Sequence, residues 1–573
     1  MIKEALQTEI QKICTELGIT RGVVLEHPQE LSHGDFATSI ALSAAKDLKQ
    51  NPKELAETLV VKIRELNDTR IASVTTAGPG FINLTLTQEA LSTLLADILE
   101  KEETYGKNDF HAGKKILVEH SSPNLFKPFH IGHLMNNTIG EAMTRIVKNT
   151  GAQTVVISYP SDVSLGIAKA IWMVMQKGGE NWVVKATKGI DDVQNFISEA
   201  GPMYVEGTKA YDESEQVQKE VREIANKLYK KDVDSQEYKI FYVCKELNIR
   251  YFNSVTKRLG SMFDGFIFES ETGLIGKQLV EENIPDVFVQ SEGAVIFDGE
   301  ARGLHTRVFI NKDGNPTYEA KDLGLLSLKF DTYHPDISVF VTDHEQGPYF
   351  KVVATAAGEI HKEWQEKTVH LTHGRMTFKG AKMSSRLGGV PTAEEVLNTI
   401  KEVAKEKFTE RSIGMDTDGF ADMVAIAALK FSILKVAPGK PVNFDPEEAL
   451  SFEGDSGPYI QYTYVRTRAL LEKGEASGIH PQLVKEYVTT DLERMLYRFE
   501  EVALQAAQEY APHHIAHYLL LLAQAFNSWY AANKVIDENN TELSTHRLAV
   551  TKAVGMVLKN GLHLLGIQTP ERM

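Results

Sequence analysis

Apolar positions recur along this chain in three rhythms, and each marks a different region. Near the start, Leu6, Ile10, Ile13 and Leu17 fall on one helical face. Asn51-Pro52-Lys53-Glu54-Leu55-Ala56 reads as a helix start with Pro at its first position, and Phe81-Ile82-Asn83-Leu84-Thr85-Leu86 alternates as a half-buried strand does. Ala77-Gly78-Pro79-Gly80 supplies the turn before that strand. The charged run from Leu99 to Lys107 reads as a linker, so residues 1–105 are expected to form a module of their own.

Between 112 and 444 short apolar runs alternate with helical patterns. Ile116-Leu117-Val118, Thr154-Val155-Val156-Ile157, Ser338-Val339-Phe340-Val341 and Thr368-Val369-His370-Leu371 suit buried strands, which predicts a parallel sheet with crossover helices. An insertion at about 165–300 carries charged helical patterns such as Ser214 to Lys230. From 445 to 573 the rhythm is almost wholly helical, over Tyr459 to Leu471, Asp491 to Tyr510, His513 to Ile536 and Thr545 to Leu565. The expected architecture is therefore α/β: a Rossmann-like parallel-sheet domain between an α+β N-terminal domain and a C-terminal α-helical bundle.

A length of 573 residues fits several domains rather than one core. Met1-Ile2-Lys3-Glu4-Ala5 lacks a basic-then-apolar leader pattern, and the densest apolar stretch, Leu519-Leu520-Leu521-Leu522, is far too short to span a bilayer. Cys14 and Cys244 are the only cysteines, which excludes a disulfide framework and a zinc site built mainly of thiolates. A cytoplasmic location without membrane attachment is the expectation. The net charge, 62 − 78 = −16, argues against general nucleic-acid binding. It leaves room for a local basic track on one large RNA.

The chemistry concentrates where the Ile116-Leu117-Val118 strand gives way to the helical pattern Leu134 to Met143. Between them runs Ser121-Ser122-Pro123-Asn124-Leu125-Phe126-Lys127-Pro128-Phe129-His130-Ile131-Gly132-His133. A strand-to-helix junction offers backbone N–H groups and a positive dipole end to phosphate. Imidazole donors there can follow negative charge as it builds on phosphorus, and Gly132 lets a flat ring approach the backbone. About 250 residues on, the glycine-bounded stretch around Lys382-Met383-Ser384-Ser385-Arg386 places a lysine in a loop. Tyr318 and Asp322, four apart, share a face on any helix. His513, His514 and His517 also share a face, but no third ligand or partnering glutamate accompanies them, so no metal site is expected.

His130-Ile131-Gly132-His133 spells the HIGH signature of class I aminoacyl-tRNA synthetases, and Lys382 to Arg386 resembles their KMSKS loop. Glu119-His120-Ser121-Ser122-Pro123-Asn124 and Pro316-Thr317-Tyr318-Glu319-Ala320-Lys321-Asp322 narrow the resemblance to arginyl-tRNA synthetases. So do His33-Gly34-Asp35-Phe36-Ala37, Asp455-Ser456-Gly457-Pro458-Tyr459-Ile460-Gln461-Tyr462 and the terminal Pro570-Glu571-Arg572-Met573. The resemblance implies ATP-dependent ligation of L-arginine to tRNA(Arg) through an arginyl-adenylate, with Mg²⁺ arriving on ATP, by a monomer. Catalysis would fall to His130, His133, Lys382 and Lys127, and ATP contacts to His130, Gly132, His133, Lys382, Met383, Ser384 and Ser385. Either Lys127 or Arg386 could supply the charge missing where Ser385 replaces the loop's second lysine. Arginine would lie against Glu119, Asn124, Tyr318, Asp322, His344 and Gln346. A buried guanidinium needs carboxylates, and Asp322 and Glu119 are the expected pair. The tRNA would touch Phe81 and Asn83 in the N-terminal domain, and Tyr459 and Gln461 in the anticodon-binding bundle. Tyr459, Tyr462 and Tyr464 suit base stacking or helix packing equally well. Asp162 has no assigned role. A lysine-specific ligase and a tRNA-binding protein without catalysis are the rival readings.

Overall fold

The architecture, taken from a computed structural model, is described for residues 1–188, 192–379, 391–408, 417–484, 487 and 489–573. At the N-terminus the helices Ile2–Glu16, Ile40–Leu48 and Pro52–Glu65 pack with a three-stranded antiparallel sheet. Asn51 caps the third helix by accepting from the Lys53 N–H, with Pro52 at the first helical position, where no N–H is needed. The strand Phe81–Leu86 lies centrally and turns Ile82, Leu84 and Leu86 into the core.

The expected linker proves to be ordered and packed. The helix Gln88–Lys101 runs into it, a short turn follows at Glu102–Thr104, and Tyr105 is buried. Its charges meet partners some 400 residues away: Lys101 with Glu500 at 3.1 Å, Glu102 with Lys552 at 2.9 Å, and Glu103 with Lys559 at 2.6 Å. Charges that look solvated in sequence here line the seam between this segment and the bundle.

The central sheet has five parallel strands in the order Thr368–His373, Ile337–Asp343, Lys115–Glu119, Gln153–Ser158 and Gly265–Phe266. The chain leaves Lys115–Glu119 in one direction and fills the other side later. The switch point therefore falls between Glu119 and Asp343, where open α/β sheets bind ligands. Helices from Leu165–Gln176 to Gln236–Arg258 form a subdomain with its own apolar core, and a small antiparallel sheet, Val289–Ser291, Ala294–Phe297 and Arg307–Ile310, follows it.

The bundle comprises Gly457–Ala476, Asp491–Leu496, Phe499–Gln508, His513–Ala532 and Thr541–Leu564. The single helix expected over Asp491 to Tyr510 is broken at Tyr497 and Arg498. Side chains take the carbonyls there: the Tyr518 hydroxyl donates to Met495 O at 3.0 Å and Leu496 O at 3.3 Å, and the Tyr105 hydroxyl to Tyr497 O at 3.3 Å. The bundle shares one apolar core with the sheet, since Ile116, Val118, Ile146 and Phe431 cluster with Leu519 and Leu558. Among the described residues no helix is long and apolar enough to cross a membrane.

Candidate active site

The strand Lys115–Glu119 ends at the switch point, and the chain turns sharply at Ser121, whose φ is +60°. The Ser121 N–H donates to Asn136 Oδ1 at 2.6 Å, and Asn136 Nδ2 donates to Val341 O at 2.6 Å. One amide thus ties the loop, the helix Ile131–Lys148 and the neighbouring strand together. Close packing of this helix requires Gly140, because a Cβ there would stand 2.2 Å from Cγ of the buried His120 ring.

His130 caps the helix. Its Nδ1 accepts from the Gly132 N–H at 3.0 Å, and its own N–H donates to His133 Nδ1 at 3.2 Å. Since Nδ1 is the acceptor on both rings, the proton of each neutral imidazole sits on Nε2. Burial first, and then the nearby Lys127 ammonium, lower the pKa of His130; burial, His130 and Lys127 lower that of His133. The rings stack with centroids 3.7 Å apart. The helix N-terminus thus carries two neutral Nε2–H donors. A Cβ at Gly132 would lie 3.0 Å from the His130 ring, so a larger residue there would press on that ring.

These groups line a cleft of about 650 Å³ at the switch point. Its far wall is one face of the helix Tyr318–Tyr333, which contributes Tyr318, Asp322, Leu325, Leu326 and Lys329. The Tyr349 hydroxyl donates to Asp322 Oδ2 at 2.5 Å. Burial pushes the Asp322 carboxyl up to about 7; the Tyr349 bond opposes this, Glu269 and Glu119 add to it, and Lys329 opposes it. Glu119 is held in an ion pair by the buried Lys329 ammonium. The two carboxylates expected to share a guanidinium are therefore unequal, because Glu119 already has a cation.

The fold gathers Glu119, Asn124, His130, Gly132, His133, Tyr318, Asp322 and Gln346 around this one cleft. Tyr318 stands at its mouth, 60% exposed, with the Lys321 ammonium 5.1 Å from its ring centroid. Three expected site residues lie elsewhere. His344 is absent from the lining; it turns to Asp343 Oδ1 at 3.2 Å with its side chain about half exposed, whereas Asp343, Glu345 and Gln346 do line the cleft. Lys127 is also outside the lining, its ammonium 4.5 Å from the Tyr204 ring centroid, so its effect on the histidines is electrostatic. Gln461 is fully buried and donates to Gln568 O at 2.7 Å, which removes it from any RNA-facing surface. Tyr459 is half-buried, and its hydroxyl accepts from Asn527 at 3.0 Å. Phe81 is 42% exposed and Asn83 lies in the same strand. Lys382, Met383, Ser384, Ser385 and Arg386 fall outside the described residues. Asp162 is an anchor, accepting from Lys245 at 2.8 Å and from Ser270 N and Oγ at 2.9 and 2.7 Å.

Sequence reasoning missed Lys329, Tyr349, Glu269 and Arg307, all on the cleft wall. Lys329 was within reach, being two helical turns beyond Asp322 on the face that Tyr318 and Asp322 define. Tyr349 and Glu269 come from separate helices, and no local pattern flags them.

Comparison with known proteins gives consistent matches along the chain. Residues 1–86 match the family described as Arginyl tRNA synthetase N terminal domain, 94–438 match tRNA synthetases class I (R), catalytic domain, and 460–573 match DALR anticodon binding domain. The arginine–tRNA ligase of Lactobacillus delbrueckii subsp. bulgaricus is 30% identical, with 96% of each chain covered. That of Clostridioides difficile is 30% identical over 96% of this chain and 95% of its own. The arginyl-tRNA synthetase structure from Thermus thermophilus superposes with a TM-score of 0.79 at 25% identity, covering 100% of both chains. Three family matches in consecutive order, and relatives aligned nearly end to end, agree with a cleft that sets acidic groups beside a histidine-capped helix: the chain belongs to the arginyl-tRNA synthetase family.

Proposed function

We propose that this enzyme ligates L-arginine to the 3′ end of tRNA(Arg), using ATP and passing through an arginyl-adenylate. The observation that carries the reading is that one cleft is lined by Asp322 and Glu119 together with His130, Gly132 and His133. Arginine would lay its guanidinium on Asp322, a planar fork on a carboxylate. Asn124 and Gln346 would receive its α-amino and carboxylate end. ATP would lie beside it, with its phosphates at the helix N-terminus.

The arginine carboxylate attacks the α-phosphorus, and the bond to pyrophosphate breaks. A carboxylate is already ionised at neutral pH, so no general base is required. Such a transfer depends on positioning and on stabilising charge. The Nε2–H groups of His130 and His133 suit that task because they donate without carrying charge themselves. Lys382 would close on the leaving pyrophosphate. Mg²⁺ would arrive with ATP, held mainly by its phosphates; among the described residues no three acidic, histidine or cysteine side chains converge on one point. The 3′-terminal ribose of tRNA then takes the arginyl group, and AMP leaves.

Residues 1–105 would hold the tRNA elbow through Phe81 and Asn83, residues 112–444 would carry the chemistry, and residues 445–573 would read the anticodon. Tyr459 belongs to that surface only through the part of its ring that packing leaves open. The 165–300 insertion would be structural or tRNA-facing, because a site built for a polar substrate rejects smaller analogues without an editing step. We place the enzyme in the cytoplasm as a monomer. Arginine-dependent exchange of pyrophosphate into ATP, run with and without tRNA, and charging of tRNA(Arg) test the reading. Absence of both activities would overturn it, and lysine-dependent exchange in their place would favour the lysine ligase.

A further inference from the structure

The arginine pocket holds a cation of its own. Lys329 lies seven residues after Asp322 on the same helix and is 2% exposed, yet it lines the cleft. Its ammonium is paired with Glu119 and stands 5.4 Å from the ring centroid of Phe340. Phe340 is the residue directly beside Glu119 on the neighbouring strand, so their register builds one niche from a carboxylate and an aromatic face. That combination is what binds a compact ammonium. Other charges around the cleft are also paired: Glu269 with Lys321 at 2.8 Å, Arg307 with Glu319 at 3.6 Å, and Glu345 with Arg375. Asp343 stands beside the His344 ring at 3.2 Å. Among the described residues Asp322, held by the Tyr349 hydroxyl, is the carboxylate on the substrate helix that faces the cleft without a lysine or arginine paired to it, and that is where the substrate's cation goes.

We propose that Lys329 determines specificity by occupation: its ammonium fills the niche between Glu119 and Phe340 that the side-chain ammonium of free lysine would otherwise take, while Asp322 stays open to a planar guanidinium. The proposal rests on the arginine-pocket reading above. It differs from a packing role because it assigns Lys329 to rejection of a competing substrate. A site closed to a competitor of the same charge discriminates by the contact it withholds as well as by the one it offers. A purely structural lysine would, on removal, weaken every ligand together.

The test is titration calorimetry of L-arginine and L-lysine on the full-length enzyme and on Lys329→Ala, beside a thermal melt. The arginine-over-lysine preference should fall at least tenfold, with part of the change arising from tighter lysine binding. Propylammonium, which can refill the niche, should restore the preference, while propanol should not. Lys329→Arg should keep lysine out, and adding Glu119→Gln to Lys329→Ala should abolish the gain in lysine affinity. If Lys329→Ala does not fold, Lys329→Ser also empties the niche of the side chain that fills it, and the same shift in preference is expected. A folded variant that binds arginine with an unchanged preference, or rescue by propanol as strong as by propylammonium, overturns the proposal. Wild-type enzyme that binds no arginine would instead overturn the pocket assignment beneath it.

Discussion

Asp322→Asn should make the ligand-free enzyme more stable and the arginine complex weaker, and the structure supplies the size of both effects. The Asp322 carboxyl stands at about 7 against an ordinary 3.8. The difference, at about 1.4 kcal/mol per pH unit, makes ionisation in the folded cleft cost up to about 4 kcal/mol. Because the folded value is raised, the folded state binds a proton that the unfolded chain releases. The carboxyl's contribution to stability is full below about pH 4 and is lost as pH rises through 7. Asparagine never ionises, and its carbonyl can still accept from the Tyr349 hydroxyl. At pH 8 the variant should therefore melt higher, by about 2–5 °C. Arginine binding should change the other way. Removing one side of a buried charge pair costs about 2–5 kcal/mol, or roughly 30-fold to several thousand-fold in affinity. Wild-type affinity should also weaken about tenfold for each pH unit below 7, as a proton competes with the guanidinium. Burial lowers the pKa of both His130 and His133, which moves their titration down and away from that of Asp322. The variant should show a flat profile from pH 6 to 8. Calorimetric titration with arginine at several pH values, with ATP as a control ligand and melts at pH 5 and 8, checks all three effects. A folded variant with unchanged arginine affinity, or one less stable at pH 8, would refute the reasoning.

Four further outcomes are expected. His133→Asn should slow pyrophosphate exchange by about 10²–10³-fold, the range for losing one donor to a developing charge, with arginine affinity unchanged by calorimetry. Lys382→Ala should slow the same exchange by about 10²-fold or more without altering arginine binding; equal loss in both would make Lys382 a substrate contact. Gly140→Ala should lower stability by about 1–3 kcal/mol in a denaturant melt, because the new methyl meets the His120 ring. Helix propensity alone would give the opposite sign, about 1 kcal/mol of stabilisation. Removing residues from 450 onward should give an aggregating fragment by light scattering, since it strips the partners from Ile116, Val118, Ile146 and Phe431.

The sheet and its switch point were legible because strand-length apolar runs alternate with helical ones, and because the junction residues sit between the two patterns. The pairing of acidic groups with histidines in one cleft was legible only through resemblance. Nothing in the spacing of Glu119, His133 and Asp322 states that they meet. The Leu99 to Lys107 stretch misled for a physical reason. A charge has no sequence mark distinguishing solvent from a partner 400 residues distant, and Lys101, Glu102 and Glu103 all found such partners. Gln461 was placed on the RNA side by resemblance alone, and packing bonds it instead to Gln568 O in the C-terminal tail.

The substrate helix shows how one pattern can be read correctly and still incompletely. Tyr318 and Asp322 define a face, and continuing that face predicts positions 325, 326 and 329. The first two are leucines, which end the search for polar chemistry when read as core. Position 329 is a lysine, and an isolated lysine near a helix end reads as solvated because its charge rarely tolerates burial. Here it is buried because the next strand brings Glu119 to it, and that strand is 200 residues earlier. The same contact changes what the acidic pocket is. With Lys329 in place, Glu119 is no longer a second free hand for guanidinium, and Asp322 must do more of the holding than two equal carboxylates would require. Burial is the main cause of its raised proton affinity, and Glu269 and Glu119 in the same cleft add to it, so a substrate cation that pairs with the carboxylate works against all three.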